Sequence, residues 1–143
     1  KGGKNFAEAL VITEAEIASM LDEATTMYGE GKYEEGEPLF AVLVLLAYDD
    51  PRFWMGLAAC RHALGKYADA IDAYGFAAYT SGFDDLRPLL YAAKCHSALG
   101  DVEATENALD LVVEADVPDT EENRQCREEA QERLAALRKR KLS

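Results

Sequence analysis

Residues 51–84 have the sequence PRFWMGLAACRHALGKYADAIDAYGFAAYTSGFD, and this stretch decides how the chain folds. On both sides of Gly65 and Lys66, apolar residues recur every three to four positions, which is the pattern of two amphipathic helices. Gly65 can adopt the left-handed conformation that ends a helix, and a second helix can then begin near Tyr67. The stretch therefore predicts a helical hairpin.

The landmarks of this hairpin match the tetratricopeptide repeat, a helix–turn–helix unit of about 34 residues. They are Trp54, Leu57, Ala58, Gly65, Tyr67, Ala70, Tyr74 and Ala77. Two positions differ from the usual pattern, because Arg61 replaces a common tyrosine and Gly82 replaces a common proline. One such unit cannot bury its own apolar face, so the pattern predicts neighbouring repeats.

Two further repeats are identified by their turn glycines. Gly31 upstream and Gly100 downstream take the place of Gly65, and the segments CRHALG and CHSALG, which begin at Cys60 and Cys95, are nearly copies. We expect one all-α domain over residues 1–143, a short right-handed solenoid of three tetratricopeptide repeats with an N-terminal lead-in and a C-terminal capping helix. The predicted repeats cover about 17–50, 51–84 and 86–119, and the capping helix about 119–139.

Composition excludes several classes of function. The formal net charge of −12 argues against nucleic-acid binding, which requires clustered Lys and Arg, and against docking on an anionic membrane. No apolar run reaches the ~20 residues of a membrane-spanning helix. The three cysteines form no disulfide framework and favour a reducing cytoplasm. The basic run at 138–141 is interpreted as the solvated end of the capping helix.

No catalytic or metal-binding pattern is present in the sequence. Cys60 with His62, and Cys95 with His96, lack the C-x2-C spacing of zinc sites, and residues this close on a helix point in different directions. No nucleophile has an evident base and orienting group. We therefore expect no enzymatic activity, no cofactor and no metal.

Three segments carry a closer resemblance. They are GKYEEGEPLF (31–40), YDDPRFWMGLAACRHALGKYADAIDAY (48–74) and AAKCHSALGDVEAT (92–105). In this order they resemble the class II chaperones of bacterial type III secretion, which serve the hydrophobic translocator proteins that form a pore in the host membrane. Gly2-Gly3 also fits, whereas Gly36 replaces the family's usual alanine. The family's N-terminal extension, which contributes to weak dimerisation, has no counterpart in this sequence, so a weak homodimer stays an open expectation.

In a tetratricopeptide array the first helices line a concave groove that can hold an extended peptide. The groove positions are the second, fifth, ninth and twelfth of each repeat. They are Ala18, Leu21, Thr25 and Tyr28, then Arg52, Met55, Ala59 and His62, then Arg87, Leu90, Lys94 and Ser97. We expect Tyr28, Met55 and Leu90 to be partly exposed in the free protein. The resemblance implies that the ligand is a short Pro- and Leu-containing segment near the N-terminus of a translocator.

Three functions remain open at this stage. The first is the secretion chaperone, and the second is a generic tetratricopeptide adaptor that clamps a C-terminal carboxylate with Lys and Arg. The third, a small hydrolase or metalloenzyme, lacks any catalytic constellation. Single residues also have plainer roles, since Arg52 can pair with Asp49 or Asp50 and His62 can be a solvated helix residue. Trp54, Phe40 and Tyr74 stand at core positions.

Overall fold

The computed structural model describes residues 11–142, and in this range the chain forms seven α-helices and no strand. The helices are α1 (Glu14–Gly29), α2 (Tyr33–Leu46), α3 (Pro51–Ala63), α4 (Tyr67–Thr80), α5 (Arg87–Ala98), α6 (Val102–Glu114) and α7 (Glu121–Leu142). The predicted lead-in, including Gly2-Gly3 and Phe6, lies outside the described residues apart from its last few positions.

The helix ends follow from local chemistry. At the start of α1, the hydroxyl of Thr13 accepts a hydrogen bond from the amide of Glu16 at 3.0 Å, and the Glu16 carboxylate accepts one from the amide of Thr13 at 2.9 Å. This reciprocal pair satisfies two backbone donors that the first turn leaves without partners. Gly31, Gly65 and Gly100 have φ of 77°, 76° and 78°, so the three equivalent turns share one left-handed geometry.

The helices pack in consecutive antiparallel pairs. Contacts join α1 to α2, α3 to α4 and α5 to α6, and each pair also packs on the next one along the chain. The first helices of the first two pairs touch as well, since α1 contacts α3, and the capping helix α7 contacts α5. This stack of helical hairpins is the predicted tetratricopeptide architecture, and we propose that its pairs correspond to the repeats at 17–50, 51–84 and 86–119.

Two apolar clusters form the core. Phe40, Phe53 and Tyr74 are buried in the first, which joins α1 to α5, whereas Leu109 and Val112 are buried in the second, which joins α5, α6 and α7. The predicted core positions of Phe40 and Tyr74 are therefore confirmed. Trp54 is only partly buried: its indole stacks on Phe76 with centroids 4.5 Å apart, and its Nε1–H donates to the carbonyl of Tyr48 at 2.6 Å.

The capping helix α7 begins slightly later than predicted and extends to Leu142. Its predicted apolar stripe, Cys126, Ala130, Leu134 and Leu137, is buried. The predicted solvated basic end has a structural role as well. Arg138 donates to Glu106 at 3.2 Å and to Asp110 at 3.0 Å, and Lys141 donates to Glu106 at 2.8 Å. These ion pairs hold the end of α7 against α6.

Candidate peptide-binding face

The candidate residues lie on the first helices of the three pairs, and an aromatic cluster connects them. Tyr74 is buried beneath α3 and α5, and its ring centroid is 5.7 Å from that of Tyr91 on α5. The imidazole of His62 is 5.9 Å from the ring of Tyr74 and nearly perpendicular to it. Tyr28 on α1 is 40 % exposed and packs edge-on against Tyr33 at 5.3 Å. We call Tyr28, Met55, His62, Tyr91 and Lys94 the aromatic face.

Tyr91 is the member of this face that sequence reasoning missed. Counting fixed positions from the start of each repeat selects Leu90, which corresponds to Met55 of the second repeat, whereas Tyr91 corresponds to Gly56. Position counting transfers a role between equivalent positions, so it passes over an aromatic residue whose counterpart is a glycine. The available signal was an aromatic residue directly beside a selected position.

Leu90 itself corrects the sequence interpretation. It is 2 % exposed and is buried with Leu109, Ala130 and Leu134, because α7 covers this part of α5. The expectation that Leu90 is partly exposed is therefore wrong, and its side chain belongs to the core.

The other apolar candidates are more accessible. Met55 and Leu21 are half-buried against the first core cluster, and Ala59 is also half-buried. Thr25 is exposed, with its hydroxyl donating to the carbonyl of Leu21 at 2.7 Å. The first two repeats thus present a shallow apolar surface on which a further chain can lie.

The predicted cations are all engaged in ion pairs within the chain. Arg52 donates through Nη2 to Asp50 at 2.7 Å, and Arg87 makes the equivalent bond to Asp85 at 2.7 Å. In both cases the same aspartate also accepts from the arginine amide at 3.0 Å. The hydrogen bond from the Arg52 side chain lowers the pKa of Asp50 below its usual range. Both arginines therefore fasten the starts of their helices.

Lys94 has a partner on the capping helix. Its ammonium is 2.9 Å from a carboxylate oxygen of Glu129 and lies 5.3 Å from the centroid of the Tyr91 ring. This hydrogen bond from Lys94 is the main reason why the pKa of Glu129 is lowered. The aromatic face is thus bounded at its C-terminal end by an ion pair between α5 and α7.

The polar centre of the face is uncharged at neutral pH. Burial lowers the pKa of His62, and the nearby charge of Lys94 lowers it further. Burial likewise raises the pKa of the Tyr74 phenol. The Nδ1 atom of this neutral imidazole and the hydroxyl oxygen of the buried Tyr74 are 3.0 Å apart and pair with each other, so the half-buried His62 has its other ring nitrogen for a hydrogen bond with a peptide backbone.

The thiols of Cys60 and Cys95 have the properties of buried side chains with a packing role. Burial raises the pKa of Cys60 and of Cys95 to about 11, so both are protonated at neutral pH. Within residues 11–142, no three His, Cys, Asp or Glu side chains are grouped so that they could hold a metal ion. Over the same range, none of the helices combines the length and the apolar character needed to cross a bilayer.

Stacked helical hairpins with an aromatic, largely uncharged face on their first helices define a peptide-binding protein of the tetratricopeptide type. A sequence profile described as tetratricopeptide repeat matches residues 51–79. Low calcium response locus protein H of Yersinia pseudotuberculosis is 34 % identical over 124 residues, which cover 85 % of this chain and 73 % of that protein.

Solved structures agree with this relationship. The Yersinia enterocolitica type III secretion chaperone SycD, in complex with a peptide of the translocator YopD, is 29 % identical, with a TM-score of 0.82 over 91 % of this chain and 98 % of that one. A SycD structure described as an alternative dimer is 29 % identical, with a TM-score of 0.81 over 91 % and 97 %. The chain belongs to the family of low calcium response locus protein H, the class II translocator chaperones of type III secretion.

Proposed function

We propose that this protein is a bacterial cytoplasmic chaperone that binds a short extended segment of a hydrophobic type III secretion translocator on its aromatic face. Holding that segment prevents the translocator from aggregating or inserting into a membrane before secretion. Neither an enzymatic activity nor a cofactor is part of this proposal. The observation that carries it is the half-exposed aromatic surface formed by Tyr28, Met55, His62 and Tyr91, which no other part of the described chain covers.

The chemistry of this surface suits a Pro- and Leu-containing segment. Apolar side chains can anchor on Met55 and Leu21, whose contact surfaces are partly exposed. Backbone groups of the extended chain can bond to the neutral imidazole of His62, whose ring is held by the hydroxyl of the buried Tyr74. Proline suits such a site because it favours an extended conformation and so reduces the entropy lost on binding.

The alternative adaptor, which would clamp a C-terminal carboxylate, has less support. A clamp of that kind requires cations that can turn to the ligand. Arg52, Arg87 and Lys94 each hold a carboxylate of this chain instead. If a ligand carboxylate replaced these partners, the bonds that hold the starts of α3 and α5 and the bond between α5 and α7 would be lost. The chaperone proposal requires no such loss.

Self-association is a second part of the proposal. We infer that the chain forms a weak homodimer in the absence of cargo, since a solved relative is described as a dimer. Measuring the molecular mass in solution with and without a translocator peptide distinguishes cargo binding from self-association.

The test of the binding face uses Met55→Glu, with Val42→Glu as its matched control. Both changes place a carboxylate at an accessible apolar position, but Val42 lies on α2, away from the face. A carboxylate under an apolar anchor adds an uncompensated desolvation cost, and loss of a central contact weakens binding by more than about tenfold. We expect both variants to fold, and only Met55→Glu to lose a Pro- and Leu-containing translocator peptide in isothermal titration.

Co-expression provides a second readout of the same proposal. The translocator should stay soluble with wild-type chaperone and with Val42→Glu, and should be insoluble with Met55→Glu. Wild-type affinity in Met55→Glu would mean that the peptide binds elsewhere on the molecule.

A further inference from the structure

The hydrogen bond between His62 and Tyr74 has a direction that follows from burial. Tyr74 is 2 % exposed, and within residues 11–142 its hydroxyl has one partner, Nδ1 of His62 at 3.0 Å. A buried O–H that finds no acceptor loses its hydrogen bonds with water without replacing them, so this hydrogen points at Nδ1. A neutral imidazole has one acceptor nitrogen and one N–H. Because Nδ1 is the acceptor, Nε2 carries the proton.

The charge states of the two side chains agree with this direction. Burial raises the pKa of the Tyr74 phenol, which therefore keeps its O–H at neutral pH. Burial and then the charge of Lys94 lower the pKa of His62, so the imidazole is neutral. Tyr67 on α4 also faces this ring, but through an edge-on contact with centroids 5.9 Å apart and not through a hydrogen bond. Among the described residues, Tyr74 alone bonds to Nδ1.

The other ring nitrogen of His62 is accessible. Nε2 makes no hydrogen bond within residues 11–142. Over the same range, the one covered side-chain nitrogen or oxygen that lacks a partner is Nε of Arg127, so Nε2 is not covered. Nδ1 points towards the buried hydroxyl, and Nε2 lies on the other side of the ring carbon between them. The aromatic face therefore presents a fixed N–H donor at its centre.

We infer that the N–H at Nε2 of His62 recognises a backbone carbonyl oxygen of the cargo, that this carbonyl belongs to a proline, and that Tyr74 is the residue that positions the donor. This inference rests on the proposed function, because the occupant is the same extended segment. It adds to that function the atom that reads the segment and the reason why proline is read.

The direction of the donor explains the choice of proline. In an extended chain, the N–H and the C=O of one residue point to the same edge, as they do in paired strands. An ordinary residue that directs its carbonyl at Nε2 therefore also directs its N–H at the surface, where the imidazole offers a donor and no acceptor. That N–H would lose water without gaining a partner. Proline has no N–H and presents its carbonyl alone.

The position of the proton is measured in the free protein by nuclear magnetic resonance, with isotope-labelled histidine nitrogens. The chain has two histidines, His62 and His96, so His96→Gln assigns the signals. At neutral pH, wild type and the control Tyr67→Phe should show an N–H at Nε2 of His62 and an acceptor at Nδ1. Tyr74→Phe should shift both nitrogens towards the values of exchanging tautomers. A proton at Nδ1 in wild type, or an unchanged spectrum in Tyr74→Phe, would overturn the inference.

Recognition of the carbonyl is tested by isothermal titration with the Pro- and Leu-containing translocator peptide. One proline at a time is replaced by alanine or by N-methylalanine. N-methylalanine keeps a nitrogen without hydrogen, so at the contact position it should bind nearly as well as the parent peptide. Alanine adds the N–H and should bind about tenfold more weakly. Equal losses for both replacements at every proline would show that ring packing selects proline, which contradicts the inference.

Two substitutions of His62 separate the donor from the bond to Tyr74. The amide oxygen of His62→Asn can take the place of Nδ1 and accept from Tyr74, but this variant has no donor at the place of Nε2. His62→Gln can place its amide nitrogen there. We expect His62→Asn to bind the parent peptide about tenfold more weakly and to lose the discrimination between alanine and N-methylalanine. His62→Gln should retain most of both, and equal behaviour of the two variants would contradict a donor at Nε2.

Failure of this inference and failure of the proposed function can be told apart. If wild-type protein does not bind the parent peptide, the proposed function is contradicted and recognition by His62 is contradicted with it. If the peptide binds, is lost in Met55→Glu and is unaffected by His62→Asn, the aromatic face is the site but His62 does not read the cargo. Tyr74→Phe should weaken peptide binding several-fold, and full affinity in that variant would contradict its positioning role.

Discussion

The Nδ1 atom of His62 lies 3.0 Å from the hydroxyl oxygen of Tyr74, and this pair joins α3 to α4 at the centre of the aromatic face. Tyr67 and Lys94 also face the imidazole, the first by an edge-on ring contact at 5.9 Å and the second by its charge. Burial penalises the charged imidazolium, and the charge of Lys94 repels a proton. The folded protein therefore favours the neutral form of His62.

This arrangement predicts how stability depends on pH. Burial and Lys94 lower the pKa of His62 in the folded state, so below about pH 6.5 the unfolded chain binds the proton more readily. The contribution of His62 to the free energy of unfolding is present above that pH and is lost as pH falls towards the folded-state pKa. Urea denaturation at about pH 7 and about pH 5 should show a larger loss for wild type than for His62→Gln. Parallel losses in the two proteins would contradict this assignment.

A second prediction concerns the contact between α2 and α3. A Cβ added at Gly56 would overlap with the ring of Phe40, which is buried in the first core cluster. Gly56→Ala should therefore lower the free energy of unfolding by about 1–3 kcal/mol, the usual cost of overpacking. Gly75→Ala on α4 is the control, because no atom lies within 4 Å of its added Cβ. Helix propensity alone should stabilise that variant by about 0.5–1 kcal/mol. The prediction fails if both substitutions stabilise the protein.

Asn123 supports a third prediction. Its side chain is buried, accepts from the amide of Leu86 at 3.0 Å, and donates to the carbonyls of Asp84 at 2.8 Å and Pro118 at 3.0 Å. One residue of α7 thus fastens the loop before α5. Asn123→Ala leaves several of these groups without partners and should cost about 2–4 kcal/mol, as measured by thermal or urea denaturation. The exposed neighbour Gln125→Ala should change stability little, and a similar loss there would argue against the buried network.

The cysteines give a fourth prediction. Burial raises the pKa of Cys60 and Cys95 to about 11 and raises that of Cys126 as well. Because the thiolate is the reactive form, iodoacetamide at about pH 8 should label the native protein slowly and the urea-unfolded protein at all three positions. Cys60→Ala and Cys95→Ala should each cost roughly 1–2 kcal/mol and leave peptide affinity within a few-fold. Loss of binding with folding intact would show that a thiol belongs to the site.

Local sequence patterns were enough to predict the helices and their pairing. Periodicity, turn glycines and the Thr13 capping box act within a few residues of one another, so their effect does not depend on distant parts of the chain. The family also followed from short segments of sequence. Repeat positions were enough to select Tyr28, Met55 and His62 as candidates, because they place first-helix residues on a common side.

Tertiary structure alone decided which of these side chains a ligand can reach. Leu90 and Met55 occupy equivalent repeat positions, yet α7 buries Leu90 and leaves Met55 half-exposed. Lys94 meets a carboxylate that follows it by 35 residues, and the second core cluster requires three helices to converge. The exposure of a side chain and its ion pairs depend on which other element covers it. That element often comes from a distant segment of the chain, and a local sequence pattern does not encode how distant segments pack.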